Sequence, residues 1–383
     1  MKRKLLGLSR SVLIILLLAI QFGDASFRKT VVAAPFTRIA GIEVQNGEIS
    51  ARSDPSGKGW RTATRPWTKE RMLAAKPADL MSVPGEPAIS IDADAPDIQP
   101  GFIPSSLPEN ADGTLAPLEE IDLVEFAAPL GYSYPAPFTR YQHFQDQTTF
   151  PYSTVGVLFF TLNGEDQRCS AASIGNYAIW TAGHCVHAGN GLNSGWASDV
   201  SFVPAYKDGA APFGIWTAFD LWTKTAWYSE SDLRYDIGGV VLFTNGSGKK
   251  ISEVVGNLGF NFGQSRTQHW TDLGYPADAP FDGKYLQICS ASHAYNDANL
   301  ASPEPMAIGC DMTDSSSGGP WITNFSGAAG VTNFLNGNNA YRYAGHPLEM
   351  YSPYFGSEAK SLWDTLLAVT PNSVFLPVIN GLQ

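Results

Sequence analysis

The chain has 383 residues, 44% of them hydrophobic and 16% charged, and its 36 Asp and Glu against 25 Lys and Arg leave a formal charge of −11. That is enough apolar material for two domains of about 100–200 residues with their own cores, which excludes a disulfide miniprotein and a disordered polypeptide. The acidic balance argues against nucleic acid as a partner, because neutralising phosphates takes clustered Lys and Arg.

The amino end reads MKRKLLGLSRSVLIILLLAIQFGDASF, with Lys2, Arg3, Lys4 and Arg10 ahead of an apolar run from Val12 to Ile20 and small residues at Gly23 and Ala25. This is the layout of a secretory signal peptide, taken here as residues 1–26. The run is short for a bilayer, which needs about 20 residues, so an uncleaved anchor is the lesser alternative. A secreted protein is expected, extracellular or periplasmic, with no stable membrane insertion once the signal is removed.

Residues 27–140 change in texture. Fourteen of the 26 prolines lie here, and Pro77 to Thr139 carries eleven acidic residues without a single Lys, Arg or His. Self-repulsion and scarce apolar surface predict a largely irregular, extended stretch, either a solvated spacer or a pro-segment that assists folding or masks a site.

From about residue 141 short apolar or alternating runs follow one another, broken by Gly, Asn, Asp and Pro, among them STVGVLFFT, YAIWTA, IGGVVLF, YLQICSAS and PWITN. Such spacing predicts an all-β fold rather than βαβ units. Two helices are expected, a short one near Asp220 to Thr225 and a closing one over Ser357 to Val369. In the latter, Ser357 would be N-cap and Ala359, Leu362, Trp363, Leu366 and Leu367 the apolar face. About a dozen strands suit a pair of six-stranded antiparallel barrels, near residues 141–245 and 246–383.

Four cysteines, Cys169, Cys185, Cys289 and Cys310, allow two bridges in sequence order in an oxidising compartment. Zinc is the weaker reading, since short CxxC pairs are missing, and no metal or organic cofactor is expected. Three segments then carry chemistry. Thr181-Ala182-Gly183-His184-Cys185 sets a histidine where a strand gives way to a loop. Tyr235-Asp236-Ile237-Gly238-Gly239 opens an apolar strand with a carboxylate that needs a partner, with Asp232 and Asp220 as competitors. Cys310-Asp311-Met312-Thr313-Asp314-Ser315-Ser316-Ser317-Gly318-Gly319-Pro320 describes a tight turn that presents a hydroxyl and free backbone N–H groups.

Together these segments resemble trypsin-like secreted serine endopeptidases of the chymotrypsin double-barrel fold, in the bacterial and fungal branch related to glutamyl endopeptidases. TAGHC is similar to the histidine motif and SGGP to the serine motif, and the resemblance spans roughly Phe150 to Phe355. It implies Ser317 as nucleophile, His184 as general base and then acid, Asp236 as the residue orienting the imidazole, and the N–H groups of Ser315 and Ser317 as the oxyanion hole. It also implies bridges Cys169–Cys185 and Cys289–Cys310, a polypeptide substrate and a monomer made as a zymogen.

The sequence departs from these relatives in three places. Asp314 and Ser315 stand where glycine is usual, and Ser316 where digestive relatives carry the aspartate that captures a new amino terminus, so activation must proceed by unmasking or refolding, with cleavage expected after Arg140 from its position. Thr332 stands where glutamyl endopeptidases read an acidic side chain with histidine. Thr332, Asn333 and Phe334 are expected at the rim of the specificity pocket. The rival readings are an inactive protease-fold binding protein and a glycan-binding module built on the ten tryptophans.

Overall fold

The computed structural model describes residues 37–39, 42–45, 47–52, 65–91, 96–109, 136–143 and 146–371. The proposed signal peptide, residues 1–26, lies outside them.

Two barrels form the body of the molecule. In the first, the strands Val155–Leu162, Glu165–Gly175, Ala178–Thr181, Gly238–Leu242, Trp216–Lys224 and Ser198–Pro204 pair antiparallel in that order, and the last returns to the first. Every residue of Val155–Leu162 is buried, so this strand reads as a continuous apolar run rather than an alternating one. The second barrel runs through His269–Gly274, Gln287–Asp297, Met306–Gly309, Glu349–Ser352, Tyr341–Tyr343, Phe334–Asn338 and Pro320–Thr323, the last pairing back to the first. Phe334–Asn338 and Tyr341–Tyr343 are separated only by Asn339 and Ala340 and act as one bent strand. Counted so, each barrel has the six strands expected.

Correction comes with the short helix. Asp220 to Lys224 belongs to the strand Trp216–Lys224, and the helix follows it at Thr225–Glu230. Barrel closure won over local helical preference, because as strand residues Leu221 and Trp222 are buried on opposite faces, each in its own apolar cluster. The closing helix, Ser357–Ala368, matches the expectation to within a residue. Ala359, Leu362, Trp363 and Leu366 are buried, and Trp363 stacks on Phe260 at 4.2 Å. Burial of each large side chain contributes about 2–3 kcal/mol. Gly356 holds the N-cap position in place of Ser357, whose N–H donates to the Asp97 carboxylate at 3.0 Å.

That Asp97 contact belongs to a wider pattern in residues 27–140. Their described parts are not a detached spacer. Glu48–Arg52 extends the first barrel beside Trp216–Lys224, Lys76–Pro77 joins Glu165–Gly175, and Met81–Val83 joins Tyr341–Tyr343 of the second. Ile89–Ser90 and Thr139–Gln142 pair with Gln287–Asp297 of the second barrel, and Gly101–Ile103 pairs with Gly259–Phe262, a strand lying beside Phe334–Asn338. The pieces are short, as a proline-rich acidic sequence dictates, yet they find partners at strand edges whose N–H and C=O groups would otherwise face water.

Among the described residues no helix is long and apolar enough to cross a membrane.

Candidate active site

The histidine side is built almost entirely by neighbours in the first barrel. Ala178–Thr181 ends in a single 3-10 turn, Gly183–Cys185, which puts His184 just beyond the strand. A disulfide joins Cys185 to Cys169 on the adjacent strand. Asp236 is fully buried and accepts twice from one residue: the His184 backbone N–H donates to Oδ1 at 2.8 Å, and His184 Nδ1 lies 2.7 Å from Oδ2. A carboxylate on Nδ1 favours the tautomer with its hydrogen there and leaves Nε2 free to take a proton. Gly183 is required by crowding, since a Cβ there would lie 2.8 Å from the Trp227 ring and 3.0 Å from Asp236 Oδ1. The competitors take other work: Asp232 caps the 3-10 turn Leu233–Tyr235 and pairs with Arg234, while Asp220 lies within Trp216–Lys224.

Ser317 sits in the turn between Met306–Gly309 and Pro320–Thr323, pressed against the histidine strand. Its carbonyl accepts from Ser170 N–H at 2.8 Å, and Cys185 Sγ lies 3.8 Å from that oxygen. At Gly318 a Cβ would come within 2.1 Å of Thr181 Oγ1 and 2.8 Å of Ala182 N, and φ is +79°, so only glycine serves. Thus the turn abuts the two residues that precede the His184 turn. Ser317 Oγ and His184 Nε2 are both buried with no hydrogen-bond partner, and no bond joins them. Catalytic hydrogen bonds are often long or misaligned until substrate is present.

Ser315 adopts φ +75°, a region that costs a non-glycine residue about 1–2 kcal/mol. The conformation is held from both ends. Ser170 Oγ donates to its carbonyl at 2.9 Å, and its own N–H donates to Ala78 O at 2.9 Å.

Asn339, which no sequence motif marked, braces the same turn. Its Nδ2 donates to Ser316 O at 3.2 Å and to Asp272 Oδ1 at 3.0 Å, its Oδ1 accepts from Trp321 Nε1 at 2.8 Å, and its carbonyl accepts from Gly318 N–H at 2.8 Å. Burial pushes the Asp272 carboxyl well above the usual carboxylate range, against the opposing pull of the Asn339 amide. Through the Asn339 amide this carboxyl group is linked to Ser316, where an aspartate was missing in sequence. The neighbouring Asn338 accepts from Trp180 Nε1 at 3.1 Å and donates weakly to Asp236 O at 3.4 Å. Counting back along the strand that pairs with Pro320–Thr323 would have found both asparagines, since Pro320 lies opposite Asn338.

The same register places Thr332, Asn333 and Phe334 away from the nucleophile. Phe334 pairs with Thr323 at the far end of the hairpin, and Asn333 and Thr332 close its loop through Ser326 N and Ala328 O. The structure does not bring these three to the site. Hairpin pairing counts residues from the turn, so positions nearest the loop lie furthest from Ser317.

Two clusters carry metal-ligand residue types, Cys169 with His184 and Cys185, and Asp272 with Cys289 and Cys310. Both cysteine pairs are disulfides, as the resemblance implied, so neither cluster offers a thiolate. Nine of the tryptophans lie among the described residues and all nine are buried, which leaves none of them as a glycan platform.

Comparison with solved structures gives the family. Protease Anisep from Arthrobacter nicotinovorans is 35% identical, with 60% of this chain covering 100% of that one at a TM-score of 0.54. The thermostable serine protease AL20 from an extremophilic microorganism is 34% identical, with 56% of this chain covering 96% of that one at a TM-score of 0.51. The chain belongs to the chymotrypsin-like serine proteases. A Glu endopeptidase is 16% identical at a TM-score of 0.48 and carries no assignment of branch. No family model matches the chain, and no curated protein matches its sequence.

Proposed function

We propose that this serine protease is a secreted endopeptidase, made as a precursor, that hydrolyses peptide bonds through an acyl-enzyme. The observation that carries the reading is the double acceptance of His184 by the buried Asp236 carboxylate, on a strand end against which the Ser317 turn is packed. Ser317 Oγ would attack the scissile carbonyl as His184 Nε2 takes its proton. The N–H groups of Ser315 and Ser317 would hold the resulting oxyanion, and His184 would return the proton to the leaving amine. Water then cleaves the ester by the same steps in reverse. Asp236 fixes the ring through its two hydrogen bonds. Membership of the glutamyl-endopeptidase branch rests on the motifs alone, and no preference for acidic residues is assigned.

A second reading, an inactive binding protein on the protease fold, draws on Ser315 at φ +75° with its N–H already engaged. Digestion of a peptide library with cleavage points read by mass spectrometry, and Ser317→Ala as control, decides between them. Cleavage lost in the variant supports the endopeptidase. A folded protein that cuts nothing and takes no organophosphonate on Ser317 supports the binding protein.

A further inference from the structure

The residues between Lys76 and Val83, sequence KPADLMSV, cross from one barrel to the other directly over the nucleophile turn. Lys76 and Pro77 pair with Gln167 and Arg168 of the first barrel, and Ala78 N–H donates to Arg168 O at 2.9 Å. Ala78 O then accepts the Ser315 N–H at 2.9 Å, and Leu80 N–H donates to Asp314 Oδ1 at 3.0 Å. Met81, Ser82 and Val83 pair with Tyr341, Arg342 and Tyr343 of the second barrel, and Ala344 N–H closes the run on Val83 O at 2.8 Å. Ala78 and Leu80 are buried, Leu80 in the apolar cluster that includes Cys310 and Met312, beside the turn it crosses. Ser315, Ser316 and Ser317 are fully buried in this arrangement.

We propose that residues 76–83 are an intramolecular strap occupying the groove that receives polypeptide substrate, and that the precursor is latent because Ala78 O holds the Ser315 N–H. The inference rests on the endopeptidase reading and adds its regulation. Two exposed strand edges, one on each barrel, with backbone donors and acceptors between them, fit an extended peptide added by main-chain hydrogen bonds. Here that peptide is the chain itself. An oxyanion hole deprived of one N–H loses on the order of 10²–10³ in turnover. Both ends of the strap pair in parallel sense, and the same residue, Ala78, donates to Arg168 and accepts from Ser315. The strap lies on the amino side of Arg140, so processing at that point would sever its covalent tie. It also supplies a use for Asp314, whose carboxylate receives a strap amide.

The test compares labelling of Ser317 by an organophosphonate in the full chain and in two variants of it. Leu80→Asp places a charge in an apolar cluster beside Asp314, and Ser82→Pro breaks the pairing with Tyr341–Tyr343. Labelling should be at least tenfold faster in both variants, with cooperative unfolding retained. A synthetic peptide of residues 76–83 added to either variant should slow it again. Equally fast labelling of the unaltered chain and the variants overturns the strap and leaves the endopeptidase standing. Absence of labelling in every folded form overturns the endopeptidase, and the strap with it. Should both variants fail to fold, hydrogen exchange on the unaltered chain decides: the Ser315 amide is protected if Ala78 holds it, and exchange at the rate of an open turn rules the strap out.

Discussion

The two sides of the cleft are built on opposite principles. The histidine side is assembled from residues within about one barrel, where a disulfide spanning 16 positions, a 3-10 turn and one buried carboxylate set the imidazole. The serine side draws on distant chain: Ser170 from the other barrel, Asn339 and Asp272 from behind, and Ala78 from the amino-terminal segment. A base needs one fixed direction, which local contacts supply. An oxyanion turn needs several backbone groups aimed together against their own strain, and that takes support from every side.

Breaking either side should be possible, with very different losses. Ser317→Ala or His184→Ala should lower turnover by on the order of a million-fold, measured as kcat on a cleaved library peptide. Asp236→Asn, which keeps the shape but favours the wrong tautomer, should cost roughly ten-thousand-fold with little change in thermal midpoint. Asn339→Leu leaves Trp321 Nε1 and Asp272 Oδ1 without the partner that Asn339 supplies, so roughly 3–5 kcal/mol of stability should be lost in denaturant melts, together with kcat rather than KM. On the histidine side, Cys169→Ser with Cys185→Ser should cost about 3 kcal/mol by chain entropy, most of it as stability.

The smallest effect concerns Asp272. Its folded-state affinity for a proton is raised by burial, so above about pH 4 the native state keeps a proton that the unfolded chain has lost. Stability therefore falls as pH rises from that point toward the raised native value. Asp272→Asn removes the titration and should flatten the fall, seen as a smaller difference between unfolding midpoints at pH 4 and pH 7.

The asymmetry also explains what the sequence made legible. TAGHC and YDIGG are local, and neighbouring chain sets the His184 ring against the Asp236 carboxylate, while Asp232 caps the 3-10 turn beside it. The barrels were readable because each strand carries its own apolar run and turn residues. The support of the serine side was not, because Asn339, Asp272 and Ala78 owe their roles to strand register and to a segment whose composition promised only extended chain. Thr332 failed for the same reason: a position counted along the chain is not a position across a hairpin. Asp220 to Thr225 failed because a barrel in need of a sixth strand overrides short-range preference.

The bent strand that closes the second barrel sets two asparagines side by side, Asn338 turned toward Trp180 and Asp236, Asn339 toward Ser316 and Asp272. Sliding that strand by one residue would exchange their directions and strip both halves of the cleft of support in a single error. Misregistered molecules would thus be harmless to their surroundings, and proteolytic power would arise only in chains that had threaded this strand correctly.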